Sequence, residues 1–417
     1  MAKKLEEIKE EECPYELPEG WKWERLGNVA DWSSGGTPSR KHQEYYDGGK
    51  INWLKTGDLN DGYIYSTEER ITEAGIKNSS AKIFPIDTVI IAMYGATIGK
   101  CGILQIESAT NQACACAICN AHIFNKYLYY YLMNSKYRFI ELGKGGAQPN
   151  ISQTIIINFL LPLPPKETQQ KIVDIIESLF AKLDIAQEKV EHVLAESENR
   201  RSAILHNAFS GKLTEKWREE NNVSFDSWNE YKIKDIAKNI KDKYDPEKDK
   251  FLNIPYIGLE HIEKNNGIVG FSSSEGVKSI KTLFNKNDVL YGKLRPYLDK
   301  HDIAEYNGMC STDIIVYRCK LKETAIILNY VMSTKQFIEY AVTNSKGINL
   351  PRTSEKIISE YKLQLPLLTE QKEIVRLLDK FLSVEDKVKS TCQSTLEAIA
   401  TMRKSILAKA FRGELVS

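Results

Sequence analysis

The sequence predicts an α+β protein: two mixed, β-rich domains separated by two long helices that pair as an antiparallel coiled coil, with pseudo-twofold symmetry. Three observations predict it. Pro164 to Glu215 and Pro366 to Ser417 align without a gap, every residue 202 positions from its counterpart. In both copies apolar residues recur at alternating steps of four and three, the seam of a coiled coil. Before each copy lies a block rich in Tyr, Ile and Gly, where short β-branched runs alternate with turn signals. An internal repeat of this size means one part used twice, and hence a target or partner set that also comes in two halves.

Residues 1–16 are charged and are expected to form a flexible tail. The first domain is expected over 17–163. It opens with Trp21, Leu26, Val29 and Ala30, has strand-like pieces at Ile51-Asn52-Trp53-Leu54 and Thr88-Val89-Ile90-Ile91, and turns at Gly35-Gly36 and Asn60-Asp61-Gly62. The first spacer helix is expected within 164–215, a linker at 216–224, the second domain over 225–365 and the second spacer helix within 366–417. The second domain repeats the first in outline. Trp228, Ile233, Ile236 and Ala237 open it, Ile254-Pro255-Tyr256-Ile257 matches the first strand, and Asn287-Asp288-Val289-Leu290 matches the buried strand after the acidic turn. Asp313 to Tyr317 is a further strand.

The first helix carries its seam on Ile172, Ile176, Leu179, Leu183, Ala186, Val190 and Val193. The second carries Ile374, Leu378, Phe381, then Glu385 as an exception, and Val388, Cys392, Thr395, Ile399, Met402 and Ile406. Pro164-Pro165 and Thr369 mark the starts; Gly211 and Gly413 sit where C-terminal caps belong. From Glu167 to Phe209, at 1.5 Å per residue, each helix is about 60 Å long. One apolar seam on so long a helix calls for a partner, and the other copy supplies it. The closely matched pairs include Gln169/Gln371, Ile172/Ile374, Ala208/Ala410 and Phe209/Phe411. The helices are more alike than the blocks, which points to one structural part used twice and one recognition part that differs.

The formal net charge of +1 provides no bulk attraction to nucleic acid, so a DNA-binding surface requires local clustering of the 57 Lys and Arg. The N-terminus reads as neither signal peptide nor anchor, and no apolar run is long enough to span a bilayer. Eight Cys without framework spacing fit reduced thiols and a cytoplasmic location.

In the order of its motifs the chain resembles the specificity subunit of type I restriction–modification systems. The resemblance rests on Leu17-Pro18-Glu19-Gly20-Trp21 with Leu26-Gly27, Gly35-Gly36-Thr37-Pro38-Ser39, and Tyr94-Gly95-Ala96-Thr97-Ile98-Gly99. It continues with Leu161-Pro162-Leu163-Pro164 before Gln169, Leu365-Pro366-Leu367 before Glu370-Gln371, and Ala410-Phe411-Arg412-Gly413-Glu414-Leu415. Thr168 departs from the pattern where the second copy has Glu370. The resemblance implies two target-recognition domains, each reading one half of a split double-stranded DNA site. It implies that the helices set the gap and dock two modification (methyltransferase) subunits, which restriction (motor and nuclease) subunits join. It implies no catalytic site and no cofactor in this chain. S-adenosylmethionine then belongs to the modification subunits, and ATP with Mg to the restriction subunits.

DNA contacts need donors on exposed loops. In the first block the loop through Ser34, Gly36, Thr37, Ser39, Arg40 and Lys41 is small, polar and basic. Lys100 and the stretch containing Lys144, Gln148 and Asn150 are similar, and the two amides suit adenine edges. In the second block Lys293, Arg295 and Tyr297, and Lys346, Asn349 and Arg352, take the equivalent places, as do Lys238, Lys241 and Lys243. The helix residues expected between the helices or against partners are Ile172, Ile176, Leu179, Leu183 and Val190 in the first, and Ile374, Leu378, Phe381, Val388, Ile399 and Ile406 in the second.

Other signals are weak. Cys114, Cys116 and Cys119 with His122 evoke zinc, but the alternation fits a strand and no second CxxC pair exists. Gly95 to Lys100 is one residue too short for a phosphate loop, and Cys101 follows where Ser or Thr is required. No methyltransferase or nucleotide-binding motif is present. No metal site is expected.

Overall fold

The computed structural model describes residues 5–143, 150–249, 253–347 and 349–416. They form two compact units, one of Met1–Val190 with Ser394–Ser417, the other of Glu191–Gln393.

In the first unit, Lys22–Arg25 pairs antiparallel with Leu160–Leu163, tying the start of the block to its exit. Among the described residues, five strands form the main sheet, in the order Ala30–Ser34, Cys114–Cys119, Val89–Ala92, Cys101–Leu104, Gly62–Ile64. A second sheet orders Glu69–Ile71, Ile51–Leu54, Ser108–Thr110, Ile83–Phe84. Period-two alternation divides the strand Cys114–Cys119 between two cores. Ala115 and Ala117 face the helices, with Tyr127, Leu128, Ile172 and Phe411. Cys114 and Cys116 face Leu54, Phe84 and Leu104 between the sheets. Burial pushes the Cys116 thiol up to about 12, where it is unreactive at neutral pH. Among the described residues no three His, Cys, Asp or Glu side chains gather in metal-ligating geometry.

The second unit repeats this plan. Asn229–Lys232 pairs with Lys362–Leu365. Ala237–Ile240, Ile314–Cys319, Val289–Gly292 and His301–Ile303 form one sheet; Lys243–Tyr244, Lys281–Phe284, Gly308–Cys310 and Tyr256–Ile257 form the other.

The first long helix runs Lys166–Ala195, breaks at Glu196 and resumes as Ser197–Phe209; the second runs unbroken over Leu368–Phe411. Each unit contains an antiparallel helix pair. In the first unit Ile172 and Ile176 share a core with Leu407, Ala410 and Phe411, and Asp184 pairs with Arg403. In the second, Leu205 and Ala208 pack on Ile374, Leu378 and Leu382, and Arg200 meets Glu385 at 3.0 Å. Each unit thus takes the start of one repeat helix and the end of the other.

The repeated glutamines bind each helix start to its own block. Gln169 is fully buried; its Oε1 accepts from Phe124 N at 2.8 Å and its Nε2 donates to the His122 and Pro164 carbonyls at 3.0 Å. Gln371 accepts from the Thr324 hydroxyl at 2.9 Å and donates to the Pro366 carbonyl at 2.9 Å. Gly211 and Gly413 have φ of +79° and +81°. A Cβ on Gly211 would lie 2.4 Å from Phe225, and one on Gly413 2.4 Å from Pro18. Glycine is therefore needed twice over, for the left-handed turn and for the close approach of each block's first residues.

Several expectations change. The second helix begins at Leu368, so Thr369 lies inside the first turn rather than capping it. Phe381 is 38% exposed and Leu382, 4% exposed, takes the buried position. The reason is that this segment packs on block side chains as well as on the other helix, Tyr330 bonding Asp379, so its buried stripe is wider than a two-helix seam. Met402 and Val193 are also exposed. Residues from Leu5 to Glu16, read as a tail, are held on the first block. Arg25, 5% exposed, donates to the Glu7 carbonyl and pairs with Glu12 at 2.6 Å, and the Tyr15 hydroxyl donates to the Phe411 carbonyl. The stretch 216–224, read as a linker, is largely helical: helix Glu215–Asn221 runs into it, and its Arg218 is buried against Glu370 at 2.6 Å.

Candidate nucleic-acid interface

Strand register gathers the candidate loops at one sheet edge in each unit. In the first, Ser34 pairs with Ala115 and Ala92 with Cys114, so the chains leaving Ser34 and Ala92 emerge together beside residues 111–113. In the second, Ile240 pairs with Val316 and Gly292 with Ile314, placing the exits toward Lys241 and Lys293 at the corresponding edge.

A third loop is stitched onto this edge by backbone bonds that repeat between the units. Ile151 N donates to Met93 O at 2.9 Å, and Thr353 N to Lys293 O at 3.0 Å. Tyr94 bridges Asn150, and Leu294 bridges Arg352. Arg295 N adds a bond to Pro351 O at 2.7 Å, and Lys346 exchanges backbone bonds with Arg352. Lys293, Arg295, Lys346 and Arg352 are therefore brought together; all but the half-buried Lys293 are exposed. Tyr297 and Asn349 are exposed on the same loops. Arg295 has a φ of +51°, a left-handed conformation unusual for a residue with a Cβ, and Gly95 takes its place in the first unit at +64°.

The loop from Ser34 to Lys41 is shaped by close packing. Gly36 is buried, its N–H on Thr110 O at 2.8 Å and its carbonyl accepting from Trp53 Nε1 at 3.0 Å. Thr37 donates to Gln112, which brings that amide to the edge. Ser39 and Lys41 are exposed. Arg40 is pinned: it pairs with Glu69 at 2.6 Å and lies 4.3 Å over the Tyr46 ring. Bonds from Lys55, then Arg40, hold the Glu69 carboxyl below its usual range. Lys100 is half-buried, and Asn150 is exposed. Lys241 and Lys243 are exposed near the edge, but Lys238 lies back along its strand opposite Arg318, away from the loops. Lys144 and Gln148 fall outside the described residues.

Sequence reasoning missed Asp313. Its Oδ1 lies 2.8 Å from the Arg352 guanidinium, and its carbonyl accepts from Lys293 N at 2.8 Å. The sequence shows it only as the start of a strand; its place beside Arg352 depends on loop closure that leaves no motif. Of the helix residues, Ile172, Ile176, Ile374, Leu378 and Ile399 are buried, while Leu179, Leu183, Val190, Val388 and Ile406 are half-buried.

The family model for the type I restriction modification DNA specificity domain matches residues 18–195 and 226–398. The type I restriction enzyme EcoDI specificity subunit of Escherichia coli is 29% identical over 322 residues, covering 71% of this chain and 71% of its own length. A chain from a solved structure concerned with complex assembly and conformational transition of the type I R-M system superposes with a TM-score of 0.75 at 18% identity, covering 96% of this chain and 100% of that one. The HsdS subunit of Thermoanaerobacter tengcongensis gives 0.64 at 18% identity, over 97% and 99%. At such identities the two structures establish a shared fold.

Proposed function

Because the chain belongs to the type I restriction modification DNA specificity family, we propose that it selects the DNA sequence for such a complex, reading an asymmetric bipartite site with one unit per half-site. One observation carries this reading. The same edge, closed by the same backbone bonds, occurs in both units with different side chains on it. A shared scaffold with unlike tips is what two readers of unlike half-sites need. Loops of this polarity reach phosphates for affinity and base edges for sequence.

On this reading the helices are spacer and scaffold. They dock two modification subunits, which restriction subunits join. The chain itself is non-catalytic and holds no cofactor; S-adenosylmethionine acts in the modification subunits, and ATP with Mg in the restriction subunits. A DNA target fits a cytoplasmic location. Among the described residues no helix is long and apolar enough to cross a membrane. The test is to assemble the chain with its modification subunits and sequence the adenines methylated in genomic DNA. A split, non-palindromic site is expected. Methylation without any sequence preference, or by the chain alone, refutes the reading.

A further inference from the structure

Asn150 and Arg352 are the same position of the repeat, 202 residues apart, and each is bridged to the loop that leaves the central strand, at Tyr94 and Leu294. Backbone bonds on the following residue, Ile151 to Met93 and Thr353 to Lys293, fix both in matching frames. Both side chains are exposed at the edge. Their chemistry differs, and so does one neighbour. Arg352 has Asp313 at 2.8 Å, whereas the position 200 residues earlier is Ala113. The carboxylate comes with the guanidinium and is replaced by a methyl group where the residue is a neutral amide. One guanidinium nitrogen is held by Asp313 while the side chain remains 53% exposed, so donors stay available with the plane oriented.

We infer that Asn150 and Arg352 are the paired base-reading residues of the two half-sites, Asn150 set for an adenine edge and Arg352, oriented by Asp313, for a guanine edge. An amide matches adenine N6 and N7 with one acceptor and one donor; a guanidinium matches guanine O6 and N7 with two parallel donors. The inference rests on the bipartite reading above and adds which residue reads which kind of base.

The experiment uses the complex with modification subunits and duplexes in which each base pair of the site is varied in turn. For the unaltered chain, one G·C pair in one half-site and one A·T pair in the other are expected to be preferred by about 10- to 100-fold. The double variant Arg352→Asn with Asp313→Ala should move the first of these from G·C to A·T and leave the other half-site unchanged. Arg352→Lys keeps the charge but not the fork, so it should lose the preference while retaining the salt dependence, and it serves if the double variant does not fold. Equal weakening on every sequence with a shallower salt dependence would mark a phosphate contact and overturn the inference, as would no change at all. Absence of any split site for the unaltered complex would instead defeat the bipartite reading itself.

Discussion

Replacing Arg295 by glycine separates what its backbone does from what its side chain does. A left-handed φ costs a residue with a Cβ roughly 1–2 kcal/mol, and glycine removes that strain. Glycine in turn gives the unfolded chain freedom worth about 0.5–1 kcal/mol. The two effects oppose, so Arg295→Gly should leave stability within about 1 kcal/mol of the unaltered chain. Arg295→Ala keeps the strain and should be the less stable of the two. The first unit already uses Gly95 at this place, with φ of +64° and nothing within 4 Å of a built Cβ. DNA affinity should respond differently. Loss of one phosphate contact lowers the slope of log affinity against log salt by about 0.9. Loss of a base contact costs about 1–3 kcal/mol at one position. Fluorescence anisotropy of the assembled complex on its duplex at several salt concentrations, with thermal melting in parallel, reads both. Unchanged affinity and slope would remove the Arg295 loop from the DNA face. A large loss of stability in the glycine variant would show that the side chain holds the loop closed.

Inserting four residues after both Val190 and Cys392, equivalent points of the repeat, adds about 6 Å of helix. Methylation-site sequencing should show a gap longer by about two base pairs with both half-sites retained; altered half-sites would refute the division between spacer and readers. Gln169→Leu strands the Phe124 amide and two carbonyls and should cost about 3 kcal/mol, read as faster hydrogen exchange in the strands of the first unit only. Glu370→Leu leaves Arg218, 10% exposed, without its counter-charge and should cost about 3–5 kcal/mol, most of it recovered in the double variant with Arg218→Met; equal losses in both would contradict the pairing. Bonds from Lys232, then Lys234, hold the Glu360 carboxyl down at about 2. Because the folded value lies below the unfolded one, its stabilisation is present above the ordinary carboxyl range and lost as pH falls toward 2. NMR titration should find that midpoint and see it rise in Lys232→Ala.

Much of this organisation was legible because it is periodic. The offset of 202 between the helices is also the offset between their buried glutamines, and Cys114–Cys119 showed its strand by alternation. Central strands repeat at 200, as Val89 and Val289 do, whereas the opening strands at Lys22 and Asn229 stand 207 apart. Loops absorb such insertions without disturbing the sheets they join. What escaped was whatever depends on third-party packing. Phe381 obeys the heptad, but a helix covered from two sides buries Leu382 instead. Arg218 looked like linker because the buried carboxylate it meets, Glu370, lies 152 residues away. Asp313 looked like the start of a strand until chain closure set Arg352 beside it.

The crossed makeup of the units has a consequence for synthesis. All of Glu191–Gln393 leaves the ribosome before Leu407, Ala410 and Phe411, which complete the core of the first unit. At 5–20 residues per second, the roughly 200 intervening residues take on the order of 10–40 s. Through that interval Ile172, Val173 and Ile176 lack the end of the second repeat helix that completes their core, and Tyr127 and Tyr131 lack the ring of Phe411 that packs between them. The half begun first is finished last, so the nascent chain holds a tyrosine-rich apolar surface open to chaperones, or to other unfinished chains, until residues 394–416 arrive.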